Sequence, residues 1–227
     1  WSSDVCSSDL SNSLYNWSNL VGKDIDYANL ELKKLDKRFE NLKKIQEVFL
    51  SCYYNKPITN ELFIELNSNK KTDFSRYYYF HASYTVSSGK IDEAKTIVES
   101  ALELYPRNLL LNQYQIDLNN KKYNNLFDCK KENDVAAEIL YITANALSSQ
   151  SIYPLSNFYL SLAKYLNEDF YSFDTLLAEN FYKTNNFASA KKVYRNLRKR
   201  GEAFKWHSTK QLARIFVQEE KKEEAIK

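Results

Sequence analysis

The sequence predicts an all-α fold in which antiparallel helical hairpins stack into a right-handed superhelix, an α-solenoid. Two observations support this prediction. The 227 residues include only 3 glycines and 3 prolines, too few for the many turns of a β-sandwich or a doubly wound sheet. Small residues also recur where the second helices of successive hairpins should begin, at Ser156, Ala190 and Ala225, which are 34 and 35 residues apart.

The two ends of the chain do not have the features of natural termini. Residues 1–10, WSSDVCSSDL, correspond to the translation of a short-read sequencing adapter, and we interpret them as a sequencing artefact. Methionine is absent, and the chain stops at Lys227 inside a helical pattern. We therefore expect a fragment, of metagenomic origin, of a longer protein.

Residues 11–74 are predicted to form degenerate helical repeats. Their apolar side chains recur with helical spacing at Leu30, Leu35, Leu42, Ile45, Val48, Phe49 and Cys52. Pro57, followed by Thr59 and Asn60, marks the start of another helix.

Residues 75–108 contain the clearest repeat. Its packing positions are Tyr78, Ala82, Gly89, Ala94, Val98, Ala101 and Pro106. The alanines let two antiparallel helices approach closely, and the larger side chains fill the space between hairpins. The glycine ends the first helix in the left-handed conformation. The proline, which has no backbone N–H, stops the second helix.

The rest of the chain repeats this template after one interruption. Residues 109–136 lose the register and are predicted to form an atypical helix or an insertion. Repeat units follow at 137–170 and 171–205, and residues 206–227 form a truncated unit. Their packing positions are Ala144, Ser156 and Ala163, then Ala178, Phe181, Ala190 and Tyr194, and finally Ala213 and Ala225.

Residues 137–227, which include FYLSLAKYLNEDF and DTLLAENFYKTNNFASAKKVYRNL, resemble the tetratricopeptide repeat (TPR) family, and within it an uncharacterised alphaproteobacterial group. Residues 77–108 are similar to the same group. The abundance of Lys, Asn, Tyr and Ile is typical of an AT-rich bacterial genome. The resemblance implies a periplasmic or envelope-associated protein, with the cytoplasm as the alternative.

The first helices of stacked hairpins line a concave face, where solenoids bind an extended peptide or a partner helix. Counting along these helices predicts a groove lined by Tyr79, Ser83, Tyr141, Asn145, Ser148, Thr175, Glu179, Tyr182, Lys210 and Arg214. Amphipathic tyrosines suit recognition, and Lys210 and Arg214, one turn apart, can hold a carboxylate. The sequence therefore predicts a non-catalytic protein–protein interaction scaffold whose partner is a protein or a peptide.

The sequence predicts no catalytic, cofactor or metal site. Cys6, Cys52 and Cys129 are far apart and form no CxxC motif, which argues against both a metal site and a disulfide framework. His81 and His207 have no nucleophile or acid at a suggestive spacing. With three glycines there is no phosphate-binding loop, and no small-molecule substrate is expected. No apolar run approaches the roughly 18 residues that a membrane span needs.

A basic run bears on nucleic-acid binding and comprises Lys191, Lys192, Arg195, Arg198, Lys199 and Arg200. Because the run occupies the end of a helix, where cations offset the macrodipole, we interpret it as a solvated helix end. This interpretation disfavours a nucleic-acid partner. Two alternatives to the protein-binding scaffold stay open: the helical non-catalytic arm of a larger envelope enzyme, and an RNA-binding helical repeat.

Overall fold

The computed structural model of the chain describes residues 3–20, 22–69 and 74–226. These ranges contain helices and no β-strand, so the predicted all-α class is confirmed. The helices are α1 (Ser3–Ser18), α2 (Ile25–Leu32), α3 (Glu40–Tyr53), α4 (Thr59–Ser68), α5 (Ser75–Ser87), α6 (Ile91–Leu104), α7 (Leu109–Asn119), α8 (Glu132–Ser149), α9 (Tyr153–Leu166), α10 (Ser172–Lys183), α11 (Phe187–Leu197), α12 (Glu202–Gln218) and α13 (Lys222–Ile226), with a short 3-10 helix, Lys37–Phe39, before α3. Among the described helices, none combines the length and the apolar character that crossing a membrane requires.

Four pairs of consecutive helices form hairpins: α5 with α6, α8 with α9, α10 with α11, and α12 with α13. In each pair the turn contains one residue in the left-handed region, namely Gly89, Ser151, Asn185 and Glu220, with φ of 79°, 63°, 57° and 61°. The N–H of the next residue reaches back five positions, as from Lys90 to the Thr85 carbonyl at 3.1 Å, which is the Schellman motif. The last three turns are 34 and 35 residues apart, so the turn recurs with the period of the sequence.

Only one of these four turns uses a glycine. The same cap also closes α3 at Asn55 and α7 at Lys121, both with positive φ. Non-glycine residues reach this region at a modest cost, and asparagine reaches it most readily. The small number of glycines in the chain is therefore compatible with many tight helix–helix turns.

Small side chains lie where the helices of a hairpin approach each other. Ala82, Ala94, Ala101, Ala144, Ala163, Ala178 and Ala190 are fully buried. Ser156 is also fully buried, and its hydroxyl donates a hydrogen bond to the Ala144 carbonyl at 2.7 Å, so its polar group is satisfied. Of the other packing positions, Val98 and Tyr194 are buried, Tyr78, Phe181, Ala213 and Ala225 are half-buried, and Pro106 is exposed.

The stretch 109–136 belongs to the core of the molecule. Its helix, α7, packs against α5, α6 and α12. In the segment that follows α7, Phe127 is buried among Phe49, Phe80 and Phe170, with ring centroids 5.2, 4.3 and 6.0 Å away. The segment is therefore folded back onto α3 and α5.

A disulfide joins Cys52 of α3 to Cys129, with the two Cα atoms 6.0 Å apart and the two residues separated by 77 positions in the sequence. The sequence-based expectation of no disulfide is wrong for this pair. The pairing depends on how the segment after α7 folds back over α3, and linear spacing carries no information about that path. The third cysteine, Cys6, lies outside the described side chains.

Candidate functional site

Part of the predicted groove is covered. Tyr79, Ser83 and Ser148 are buried. The Tyr79 ring lies 4.8 Å from that of Tyr114 on α7, and the Ser83 hydroxyl donates to Asn125 Oδ1 at 3.2 Å. The prediction that Tyr79 and Ser83 line an open groove is therefore wrong, because α7 and the segment after it cover that face of α5.

Ser148 is buried for a different reason. Its hydroxyl donates to Oδ1 of Asn180 on α10 at 2.6 Å, and Nδ2 of Asn180 donates to Ser156 and to Asn157 at 2.9 Å each. Asn180 is fully buried, so its amide group is satisfied entirely within the protein. This polar network joins α8, α9 and α10, and it removes Ser148 from the accessible groove.

Tyr141 is half-buried beneath Arg76, whose guanidinium carbon lies 4.0 Å from the ring centroid. Nε and Nη2 of Arg76 donate to the two oxygens of Glu138 at 2.7 and 2.8 Å, and Nη1 donates to the Ser172 hydroxyl at 2.8 Å. Sequence reasoning missed this cluster. The one sequence feature that could have indicated this cluster is Glu138, a single charged residue within the apolar run 135–140. Asn145 is exposed on the same helix.

The other five predicted groove residues are half-buried or exposed and lie on two helices, Thr175, Glu179 and Tyr182 on α10, and Lys210 and Arg214 on α12. We call these residues the α10–α12 face, together with His207 of α12, which was not among the predicted groove residues. Each set follows helical spacing of three and four residues, which brings its side chains to one side of the helix. The two helices meet where the Arg214 guanidinium lies over the Tyr182 ring, 4.2 Å from its centroid.

Contacts with α7 hold α12 in position. The Gln113 side chain of α7 accepts a hydrogen bond from the backbone N–H of Ala203, in the first turn of α12, at 3.0 Å. Such a bond satisfies one of the free N–H groups at a helix start. Gly201 precedes α12 with a φ of 129°, and a Cβ at this position would overlap the Gln113 carboxamide. The positive φ requires a glycine here, and a Cβ would in addition displace the Gln113 side chain.

The α10–α12 face carries two unpaired cations. Lys210 and Arg214 are exposed, and neither has a carboxylate within 4.0 Å among the residues that the structure describes. The carboxylate of Glu179 is half-buried and accepts a hydrogen bond from the Tyr194 hydroxyl at 3.5 Å. The stacking of Arg214 on Tyr182 fixes the guanidinium without neutralising it. Positive charge is therefore available to a ligand.

His207 adds no charge at neutral pH. Burial lowers the pKa of His207 below its usual value of 6.5; Glu179 opposes this shift and Lys210 adds to it. The imidazole is therefore neutral near pH 7 and lies beside Tyr194, with ring centroids 6.1 Å apart. The chemistry of the face is that of two cations, one carboxylate, an aromatic ring and a neutral imidazole, and because the cations outnumber the carboxylate it suits binding of a further carboxylate.

The basic run divides into one paired and five exposed residues. Lys191 Nζ lies 2.7 Å from Glu219 Oε2 and is half-buried. Lys192, Arg195, Arg198, Lys199 and Arg200 are exposed at the end of α11 and just after it. The macrodipole of α11 favours cations at this end.

Other polar features of the molecule have structural explanations. His81 stacks on Phe63, its Nε2 lies 2.8 Å from Asn60 Oδ1, and burial lowers its pKa to about 4. No group of three metal-ligating side chains occurs within the described ranges.

A cleft of about 690 Å³ lies between α2 and the start of α4. Its walls contain both apolar and charged side chains, with Tyr27 and Leu62 beside Glu47.

No family model matches this chain, and no curated protein matches it. We therefore infer function from the geometry of the described residues.

Proposed function

We propose that this chain is a non-catalytic scaffold of the TPR type that binds a protein partner on the α10–α12 face, through a peptide or helix that carries carboxylates. The observation that carries the proposal is the exposed, unpaired pair Lys210 and Arg214, one turn apart, with Arg214 held over Tyr182. A preformed guanidinium loses little freedom when it binds a carboxylate.

The repeating hairpins support the scaffold part of the proposal. The same Schellman turn recurs at Ser151, Asn185 and Glu220, with the period that the TPR resemblance implies. Hairpins related in this way place their first helices side by side. Here α10 and α12 are such first helices, and they meet at Tyr182 and Arg214.

The side chains of the face support the choice of ligand. Two neighbouring cations attract an acidic segment, and the Tyr182 ring, which contacts Arg214, offers apolar contact beside them. Against the two cations the face has one carboxylate, that of Glu179, which accepts a hydrogen bond from the Tyr194 hydroxyl at 3.5 Å, so cations outnumber carboxylates on the face. We expect the ligand to have at least one carboxylate next to an aromatic or aliphatic side chain.

Fluorescence anisotropy with a defined probe tests this proposal. The probe is a labelled peptide that alternates glutamate with aromatic residues, and its matched control has glutamine in place of glutamate. We expect the acidic peptide alone to bind, with an affinity that falls as salt is added. Arg214→Glu should weaken binding about tenfold to a hundredfold, since it removes a charge-assisted contact.

The matched control variant is Lys205→Glu, which reverses an exposed cation of the same helix outside the face. It should bind the acidic peptide as the unaltered chain does, apart from a small uniform effect of net charge. An equal loss of affinity for the acidic peptide in Arg214→Glu and Lys205→Glu would mean that only the net charge of the protein matters, and it would contradict a specific binding site. Equal binding of the acidic and glutamine peptides would also contradict it.

The disulfide supports an oxidising compartment as the cellular location of this protein. Disulfides persist in the bacterial periplasm and are rare in the cytosol. The bond between Cys52 and Cys129 is consistent with the envelope location that the TPR resemblance implies. Thiol titration of the protein prepared from periplasmic and from cytosolic expression tests this part: the bond should form in the periplasm.

RNA binding is the second candidate, and one observation favours it. Five cations at the end of α11 are exposed, and no acidic partner is recorded for them among the described residues. A phosphate backbone would recognise such a cluster, and its binding would be strongly salt-dependent. Reversal of Arg195, Arg198 and Arg200 to glutamate should abolish a gel shift with single-stranded RNA; an unchanged shift, or none with the unaltered chain, eliminates this candidate.

A further inference from the structure

The outer side of α9 carries an apolar stripe that no other part of the described chain covers. Leu155, Phe158, Leu162 and Tyr165 are 42%, 55%, 38% and 84% exposed. Their spacing of three, four and three residues places them in one line along the helix. Single exposed apolar side chains are ordinary on protein surfaces, but a continuous line of large ones marks an interaction site.

The stripe is free of charge. The only charged residue of α9 is Lys164, and its Nζ lies 2.6 Å from Asp174 Oδ1 on α10, away from the stripe. The positions that flank the stripe, Pro154, Tyr159, Ser161 and Leu166, are also uncharged.

The second helices of the neighbouring hairpins differ from α9. The exposed residues of α6 include Asp92, Glu93, Glu99 and Glu103, and those of α11 include Lys192 and Arg195. These helices expose charges, as expected for solvated surfaces. The apolar surface is therefore a property of α9 and not of second helices in general.

The spacing of the stripe is that of a helix–helix seam. Apolar residues separated by three and four positions correspond to the a and d positions of a heptad, which pack against a second helix.

The stripe is also symmetric about Leu160: Leu155 and Tyr165 are each five residues from it, and Phe158 and Leu162 are each two residues from it. Two copies of α9 packed antiparallel about a two-fold axis would place every stripe residue opposite an apolar residue.

We propose that α9 forms an interface with α9 of a second copy of this chain, antiparallel and two-fold symmetric. In this arrangement Phe158 packs against Leu162 of the second copy, and Leu155 packs against Tyr165 of the second copy. A two-fold interface needs such a self-complementary surface. A dedicated different partner is usually selected by charges at the flanking positions, which α9 lacks.

The size of the stripe fits a modest interface. A fully buried aromatic side chain contributes about 150–250 Å² of surface. Scaled by their exposed fractions, the four stripe residues of both copies together would bury at most roughly 1,000 Å². This is near the lower limit for a specific interface. We therefore expect an equilibrium between monomer and dimer that depends on protein concentration.

Sedimentation equilibrium over a range of concentrations tests the proposal. The mass should rise from the 26.7 kDa of one chain towards twice that value. Phe158→Glu should keep the protein monomeric at every concentration, because it places two carboxylates in the seam. The matched control is Leu104→Glu, which introduces the same charge at a leucine of α6 that is 66% exposed and outside the stripe. It should dimerise as the unaltered chain does.

Two outcomes of this measurement would overturn the proposal. The first is that the unaltered chain stays monomeric at every concentration, which would leave the stripe for another occupant. The second is that Phe158→Glu dimerises as strongly as the control variant. Circular dichroism of each variant shows whether it is folded, so that loss of dimer is not confused with loss of structure.

Cysteine crosslinking tests the orientation in a Cys6→Ser background. Ser161 lies next to the two-fold axis, so Ser161→Cys should form a disulfide between the two copies. Tyr165→Cys should not, because its two copies are about 15 Å apart along the helices, beyond disulfide reach. Crosslinking of Tyr165→Cys would mean parallel helices and would overturn the antiparallel arrangement.

Discussion

Glu138 of α8, whose side chain is fully buried, accepts hydrogen bonds on both carboxylate oxygens from Arg76 of α5, 62 residues away in the sequence. The same guanidinium donates to Ser172 of α10 and stacks on Tyr141. This single arginine therefore joins three helices, α5, α8 and α10, that are far apart in the sequence.

Loss of the Glu138 carboxylate should destabilise the fold strongly. Glu138→Leu leaves Arg76 buried without its counter-charge, which costs about 3–5 kcal/mol in the free energy of unfolding. Urea denaturation measures this loss. The double variant Arg76→Met, Glu138→Leu should recover most of it, because an apolar pair needs no counter-charge. A double variant no more stable than the single one would contradict this account of the pair.

An exposed ion pair provides the comparison. Lys90 and Glu93 lie 3.2 Å apart at the start of α6, with both side chains largely exposed. Lys90→Ala should change the free energy of unfolding by less than about 1 kcal/mol. If Lys90→Ala lowered the free energy of unfolding as much as Glu138→Leu, burial would not be what makes the Arg76–Glu138 pair important for stability.

Removal of the disulfide should lower stability without changing the helical content. For a loop of 77 residues, the chain-entropy model gives a loss of about 4 kcal/mol when the bond is absent. Cys129→Ser should show this loss in urea denaturation, and Cys6→Ser, which lies outside the bond, serves as the control. If thiol titration of the folded, oxidised protein finds three free thiols, the bond between Cys52 and Cys129 is absent.

Acid should destabilise the protein partly through His81. Burial lowers the pKa of His81 from 6.5 to about 4, so between these values the unfolded chain binds a proton that the folded chain does not. The contribution of His81 to stability is therefore complete above about pH 6.5 and falls by up to about 3 kcal/mol as the pH approaches 4.

The variant His81→Gln isolates this contribution from that of other groups. Burial raises the pKa of Asp117 and Asp134, which favours the folded state at low pH and so acts in the opposite direction. The stability difference between the unaltered chain and His81→Gln should become smaller, or reverse, between pH 7 and pH 4.5. Two stability curves that stay parallel over this range would refute the assignment to His81.

Local features of the structure could be predicted from the sequence, because they depend on residues close together in the chain. The small number of glycines and prolines and the repeat spacing predicted the all-α class. The 34- and 35-residue spacing of Ser156, Ala190 and Ala225 matches that of the turns at Ser151, Asn185 and Glu220, each five residues earlier. Lys210 and Arg214 were identified on one side of a helix by their separation of four residues, and the structure leaves both exposed.

Features that depend on distant parts of the chain could not be predicted in this way. Tyr79 and Ser83 have the spacing of groove residues, yet α7 and the segment after it lie over them. The register of α7 departs from the repeat, so its position over α5 could not be predicted from the repeat pattern. The pairing of Cys52 with Cys129 and that of Arg76 with Glu138 depend on the same fold-back.

Affinity selection from a random peptide library on the immobilised chain examines ligand binding at the α10–α12 face without assuming a ligand sequence. We expect enrichment of peptides in which carboxylates lie next to aromatic or aliphatic residues, with the enrichment lost for Arg214→Glu and kept for Lys205→Glu. Selection that enriches no peptide class, or that enriches the same peptides on Arg214→Glu, would contradict the claim that the α10–α12 face binds a carboxylate-bearing partner.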